Sequence, residues 1–406
     1  MTCCGRGRPS LNNIPNFDSS FQSKHLTKAF SDKEQRQRKF SPLSFFHTII
    51  ELISGTNREG YHHALIRTFG RPSLAPCKAA LCKFRMKISF LFFKDILDHL
   101  LFDYESKRLT YQGLKIYAVD GWQVHLPRTD DIVNSGYNGR SVSKYRESYL
   151  PRMYLVHAYD ALSGVTKDLR EAPYLDEQHG AKNMVKNFER NSLTLYDRLY
   201  ISTGMILAHK KAGNYFLMRA RRNSFTEVRK FYRSKKQKAS CVIEGVVIQM
   251  FKIENPKTGA VDVYITNLPK MRWLTPDVVR RLYRLRWEVE NSFRDLAETM
   301  KLQQWHSKTI NGIRQELYAT FWLMNFVKIQ MNKCEKRSKV VLSDVYLKPN
   351  FKLAINFVKS RFSKIIHKSR GVLKELIVVL DMSTEKREHE SRKYRRELKS
   401  PESPYP

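Results

Sequence analysis

The sequence predicts an α/β protein: a sheet of mixed strand direction, interrupted by an all-β insertion, with a helical domain before it and a helical region after it. Three observations carry that prediction. β-Rich runs, LKIYAVDG at 114–121 and RMYLVHAYDALSGVTKDL at 152–169, alternate with stretches of helical spacing, the order from which mixed sheets are built. Between 41 and 105 the apolar residues recur at helical spacing alone. Residues 240–253 (SCVIEGVVIQMFKI) and 260–268 (AVDVYITNL) are β-rich with a turn between them, and no helical spacing separates them.

The elements follow in order. Residues 1–40 are polar, end in SDKEQRQRKF, and read as a basic flexible arm. Residues 41–110 form a helical domain punctuated by Pro42, Gly55, Gly70 and Pro72, suited either to DNA binding or to packing. Residues 111–225 carry the first part of the sheet: the strand LKIYAVDG, a hairpin turning at Ser163 and Gly164, a helix in HGAKNMVKNFERN, and the strand SLTLYDRLY. The helix TGMILAHKKAG and the strand NYFLMRAR complete it. The insertion occupies 226–270, opening on the basic run FYRSKKQK. A second part of the core, 271–335, is one long helical region beginning at Thr275 as N-cap with Pro276 at the first helical position and running into the 330s. Residues 336–406 are further helices and a charged tail, STEKREHESRKYRRELKSPESPYP, expected to be disordered.

Composition narrows the partner. Lys and Arg number 73 against 39 Asp and Glu in 406 residues, a net charge of +34. A surplus spread along the whole chain points to a polyanion, nucleic acid ahead of an acidic membrane surface. The longest apolar patch, ISFLFF at 88–93, is far too short to span a bilayer, so no membrane partner is expected. The start MTCCGRGRPSLNN lacks an apolar leader core, and the six cysteines form no C-x-x-C pair, which suits reduced thiols in a cytoplasmic protein.

Three carboxylates are placed for chemistry. Asp120 closes the run KIYAVDG, on the same side of the strand as Ile116 and Ala118, and an acid at the carboxyl end of a central strand sits where open α/β sheets keep their ligand groups. Asp197 in SLTLYDRLY repeats the arrangement, so two such acids on adjacent strand ends would converge. The third lies in LYRLRWEVENSFRDL, 282–296. Projected as a helix, Leu282, Leu285, Val289, Phe293 and Leu296 cluster within about 40° of one direction as a core stripe. Arg286, Glu290 and Arg294 fall within about 60° of Tyr283 beside that stripe, and Glu288 falls on the solvent side. Glu290 therefore serves either an ion-pair ladder with Arg286 and Arg294 or a site shared with Asp120 and Asp197.

Taken together these residues resemble the DDE transposases of bacterial insertion sequences, specifically the IS4 group. That group is marked by a helix carrying Tyr, two residues, Arg, three residues, Glu, six residues, Lys, and Tyr283, Arg286 and Glu290 match it. Asp120 in YAVDGWQVHLP resembles the first catalytic Asp, Asp197 in LYDRLY the second, and the group also places a β-rich insertion between the second Asp and the Glu. The motif lysine is replaced by Ala297, with Lys301 one turn further on as a substitute if the helix continues. The resemblance implies an RNase H-like core, two Mg²⁺ ions (Mn²⁺ substituting) held by Asp120, Asp197 and Glu290, and a metal-dependent endonuclease. Such an enzyme frees 3′-hydroxyls at the element's ends and joins them to target DNA. It further implies double-stranded DNA as partner, both terminal inverted repeats and target, a dimer in the DNA complex, and a nucleoid-associated location. Tyr283, Arg286, Trp287, Arg294, Lys301 and Arg198 would contact DNA, Trp287 either stacking on an unpaired base or packing between helix and sheet. A nuclease without strand transfer and a DNA-binding relative without catalysis remain as alternatives at this point.

Overall fold

A computed structural model describes residues 40–54, 60–137, 150–173, 176–254, 259–333, 345–367, 369 and 371–388. The basic arm, most of the ENPKTG turn and most of the charged tail lie outside the described residues. Four helices come first: α1 (Pro42–Ser54), α2 (Tyr61–Phe69), α3 (Lys78–Lys87) and α4 (Leu91–Tyr104). Strand β1 (Lys115–His125) is followed by the hairpin of β2 (Arg152–Asp160) and β3 (Val165–Ala172), whose turn needs the left-handed φ of 72° at Gly164. Then come α5 (Glu177–Met184), β4 (Ser192–Tyr196), α6 (Thr203–Ala212), β5 (Tyr215–Ala220), α7 (Thr226–Arg233), β6 (Lys238–Ile243), β7 (Val246–Glu254) and β8 (Val261–Thr266). Helix α8 (Pro276–Arg284) starts as its sequence dictates, with the Thr275 side chain accepting from the Val278 N–H and Pro276 where no N–H is needed. Helices α9 (Trp287–Arg294) and α10 (Ile310–Asn332) follow, then β9 (Val345–Pro349), α11 (Phe351–Ser360), α12 (Val372–Met382) and β10 (Thr384–Glu388).

Eight strands form one sheet in the order β3-β2-β1-β4-β5-β8-β7-β6. Within the first five, β4 and β5 run parallel to β1 and β2 runs antiparallel to both its neighbours, which is the arrangement of an RNase H-like core. The insertion is β-rich as expected but opens on a helix, α7, because Val228 and Phe231 give residues 226–233 a buried stripe at helical spacing. Its three strands do not stand apart: β8 pairs antiparallel with β5 and extends the sheet.

Alternation along β1 sends Ile116 and Ala118 to one face, against the helices α1 to α4 and α8 to α12, and Tyr117 and Val119 to the other, against α5, α6 and α7. Helix α10 is buried along most of its length and joins the N-terminal helices to the sheet. Phe46 meets Trp322 edge to face at 4.9 Å, and Asn325 exchanges hydrogen bonds with Thr166 of β3, accepting from its N–H at 2.7 Å and donating to its hydroxyl at 3.0 Å. Arg85 of α3 donates to Glu316 of α10 at 2.8 Å, both side chains nearly without solvent contact. No helix among the described residues is long and apolar enough to cross a membrane.

Three expectations are corrected. The helix from Pro276 does not run unbroken into the 330s. The N–H groups of Leu285, Arg286, Glu288 and Val289 each bond three residues back, which tightens the turn between α8 and α9. Beyond Arg294 the chain widens into a π-helical turn, Asp295–Thr299, and stops at Lys301, whose φ is +55°. Strand β1 does not end at Asp120, because it keeps β2 as a partner from Asp120↔His157 to His125↔Arg152. The tail is ordered at its start, where Thr384–Glu388 pairs antiparallel with Val345–Pro349.

The buried Arg85–Glu316 pair generates a stability prediction. Glu316→Ala leaves a guanidinium buried without its countercharge and is expected to cost about 3 to 5 kcal/mol, measured by denaturant unfolding. The double replacement Arg85→Met with Glu316→Leu should recover most of that loss.

Candidate active site

The site forms where the sheet divides. Strands β1 and β4 pair in parallel from Lys115↔Ser192 to Val119↔Tyr196, and there β4 turns away into a 3₁₀ turn at Arg198–Tyr200. Asp120 and Asp197 are the next residue on each strand, so their backbones leave the last paired position side by side. Asp197 caps the turn, its carboxylate accepting from the Arg198 N–H, while Asp120 accepts from the Gly121 N–H at 3.0 Å.

Helix α9 is seated on β1 by its apolar side. Trp122, two residues beyond Asp120 and on the same face, stacks on Phe293 at 5.4 Å, and Val289 is fully buried. Burying two such side chains contributes roughly 1.5 to 3 kcal/mol each. Ser292 approaches His157, the register partner of Asp120, at 3.4 Å, and the predicted stripe Leu282, Leu285, Val289, Phe293 and Leu296 is buried throughout. With Phe293 fixed over Trp122, Glu290 one turn earlier comes to Asp120.

Between these two acids stands Arg286. Its side chain is 6 % exposed and donates to Glu290 Oε1 at 2.8 Å, with Asp120 Oδ2 at 3.5 Å from its other terminal nitrogen. The guanidinium also lies over the Trp287 ring at 4.9 Å. Burial pushes the Asp120 carboxyl up to about 6; Arg286 and the Gly121 N–H pull it down, and the charges of Glu290 and Glu177 add to the rise. Burial likewise pushes the neighbouring His157 imidazole down to about 3, so it is neutral.

The structure separates the remaining expected residues by exposure. Arg198, Trp287, Arg294 and Lys301 are exposed. Tyr283 is not: it is 9 % exposed and packs edge-on against Tyr264 of β8 at 4.8 Å, a contact the insertion supplies. Arg286 is buried as described. Arg294 donates to Asn291 and not into a ladder with Glu290, and Glu288 is half-buried, accepting from Asn291. Lys301 does not extend the Tyr283 line, because the π-helical turn and the reversed φ at 301 remove the regular phase on which that projection rests. Ala297 lies inside that turn. One acid near the site was missed by sequence reasoning: Glu177, the first residue of α5, whose charge acts on Asp120 and which in turn feels Asp197. Its only local mark is the capping residue Asp176 before it.

All three expected acids offer hard carboxylate oxygens, the donor type that suits Mg²⁺. Arg286 already places a positive group between Asp120 and Glu290, so the surroundings accept a cation there. As they stand, no three His, Cys, Asp or Glu side chains among the described residues close on one point.

The raised Asp120 carboxyl sets a pH prediction. The folded protein holds this proton more tightly than the unfolded chain, so stability is lost as pH rises from about 4 to about 6. Asp120→Asn should therefore stabilise the metal-free protein at pH 7.5 by on the order of 2 kcal/mol, with the gain vanishing near pH 4. Thermal melts across that range check it, and a gain independent of pH contradicts it.

Comparison with known proteins places this geometry in a family. A solved structure of the piggyBac transposase synaptic complex with hairpin DNA aligns at a TM-score of 0.46 and 10 % identity, over 88 % of this chain and 80 % of that one. The putative transposase InsZ of Escherichia coli (strain K12) is 27 % identical over 121 residues, 29 % of this chain, and the match spans 40 % of that relative's length. The family model of the transposase DDE domain matches residues 111–326, more than half of the chain and all of the elements that carry Asp120, Asp197 and Glu290. The protein belongs to the DDE transposase-domain family.

Proposed function

We propose that the protein is a DNA transposase of the IS4 group that binds the ends of its insertion sequence, hydrolyses DNA there and joins the freed 3′-hydroxyls to target DNA. The observation that carries this is the placing of Asp120 and Asp197 on neighbouring strands one residue beyond the last rung of β1–β4 pairing, with Glu290 linked to Asp120 through Arg286. Asp120, Asp197 and Glu290 would hold Mg²⁺, or Mn²⁺ in its place. When bound, the metal lowers the pKa of the attacking oxygen and neutralises charge on the leaving oxygen.

The chain's own residues supply the rest. Arg286 is buried between Asp120 and Glu290, and its planar guanidinium, once released from those carboxylates, would offer two parallel donors to a phosphate that enters beside Asp120. Tyr283, packed on Tyr264, fixes the turn before Arg286 and so positions it from behind. The half-exposed Trp287 face is available to stack on an unpaired base. Arg198, Arg294 and Lys301 contribute exposed charge along the duplex, within a chain whose net charge of +34 favours polyanions throughout. Terminal inverted repeats and target DNA are the partners, handled by a dimer on DNA in the cytoplasm at the nucleoid.

The decisive experiment uses DNA carrying the element's own termini in a combined cleavage and strand-transfer assay. Asp120→Ala, Asp197→Ala and Glu290→Ala should each abolish Mg²⁺-dependent cleavage while DNA binding is kept. Unchanged cleavage in any of the three removes that residue from the set, and cleavage without joining in the wild type reduces the protein to a nuclease. In binding titrations against salt, Arg198→Ala and Arg294→Ala should each reduce the slope of log K on log salt by about 0.9. An unchanged slope takes that arginine off the phosphate backbone.

A further inference from the structure

A second side chain on the rung of Asp120 reaches α9. His157 of β2 stands directly opposite Asp120 of β1, so both point to the face on which α9 lies. Asp120 meets α9 through Arg286 and Glu290, whereas His157 meets it further along, with Ser292 Oγ 3.4 Å from Nδ1 and the Phe293 ring 5.8 Å from its own. On its other side His157 Nε2 lies 3.0 Å from the Thr166 hydroxyl of β3, a partner that regular pairing would turn away. Counted on from His157↔Leu169 and Ala158↔Asp168, Thr166 would stand opposite Asp160 and point to the other face of the sheet. A bulge at Lys167 sets it opposite Tyr159 instead, on the face of His157.

The protons along this chain have one consistent order. At the far end the Thr166 N–H can only donate, so the atom it meets at 2.7 Å is Asn325 Oδ1 of α10. Asn325 Nδ2 then gives its two hydrogens to the Phe321 carbonyl at 2.7 Å and the Thr166 hydroxyl at 3.0 Å, which leaves that hydroxyl to donate to His157. At the near end the Ser292 hydroxyl donates to the Val289 carbonyl at 2.7 Å. Toward His157 it therefore accepts, and the neutral ring carries its proton on Nδ1. His157, Thr166, Ser292 and Asn325 are each 1 % exposed or less. A buried polar chain with every member satisfied fixes direction and register, which the apolar contact of Phe293 with Trp122 does not. Three residues along α10, Lys328 holds Asp295 at 2.6 Å, so the same face of α10 also grips the end of α9.

We propose that His157 is a positioning residue of the phosphoryl-transfer site: it carries the hold of α10 through Thr166 to Ser292 and so sets the helix of Glu290 over Asp120. The proposal rests on the transposase reading above and adds to it a residue that acts from within the core, through α9.

The test joins a spectroscopic readout on the full-length protein to a kinetic one. Nitrogen NMR of the histidine rings, without DNA or added metal, should show the Nδ1–H tautomer for the ring whose signals vanish in His157→Phe, and Ser292→Ala should shift those signals. The Nε2–H form there overturns the proposed chain. In Mg²⁺-dependent cleavage of DNA carrying the element's termini, His157→Phe and Ser292→Ala should each lower kcat about 10- to 100-fold, with KM for the DNA kept within about twofold. The double variant should lose no more than the more damaged single, because one residue acts through the other. Melting curves confirm that each variant is folded at the assay temperature, and if His157→Phe does not fold, Ser292→Ala decides the kinetic arm by itself. A lowered melting temperature with kcat of the folded protein unchanged overturns the proposal and leaves His157 a stabilising role alone. Glu290→Ala separates the two readings. If it abolishes cleavage while His157→Phe and Ser292→Ala leave kcat as it was, only the positioning role falls. If the wild type does not cleave, or Glu290→Ala cleaves normally, the transposase reading falls and the proposal with it.

Discussion

The parallel pairing of β1 with β4, and its end at Val119↔Tyr196, is the constraint on which the site depends. Up to that rung the two strands share a ladder and two buried faces, so their side chains are committed to packing. One residue later β4 leaves and β1 continues with β2 alone. Carboxylates at that rung keep the rigidity of a central sheet while being only partly desolvated, where full burial would be prohibitive. Asp120 is correspondingly 22 % exposed, close to the core but still in reach of solvent.

Arg286 shows how two neighbouring acids are held in the fold. Two acids within reach of one another destabilise a fold, and a buried arginine with nothing to pair destabilises it as well. Set together, each satisfies the other, and the same guanidinium that steadies the two acids is of the shape that recognises phosphate. Structural and functional readings of the Arg286–Glu290 pair are therefore not rivals. The ladder that a helical projection suggests exists on one side only, because Arg294 turns to Asn291.

Much of this was legible in the chain because it depends on local spacing. The side of β1 that carries Asp120, the buried stripe from Leu282 to Leu296, the Thr275–Pro276 helix start and the hairpin at Ser163 and Gly164 follow from periodicity and turn chemistry within a few residues. What was not legible depends on partners distant in sequence. Gly121 after Asp120 has the look of a turn, and only β2, some 35 residues later, holds it in a strand. Tyr283 projects beside Glu290, and only Tyr264 of β8 buries it. Counting residues onward from Glu290 assumes an unbroken α-helix, whereas the chain widens at Asp295, whose carboxylate is drawn to Lys328 of α10 at 2.6 Å. Glu177 meets Gly121 across a whole hairpin, a contact that no local pattern announces.

The place of β8 beside β5 has a consequence for how freely this chain can vary in length. Were β6 to β8 a separate module on two flexible tethers, they could be lost or exchanged without harm to the core. Here Leu217 to Ala220 of β5 pair with Val263 to Thr266, so removing the insertion would bare a central strand along its full row of amide and carbonyl groups. An uncovered edge of that kind recruits strands from other molecules and leads to aggregation. The long interval between Asp197 and Glu290 thus closes the border of the sheet, and a chain shortened there would have to find a new one.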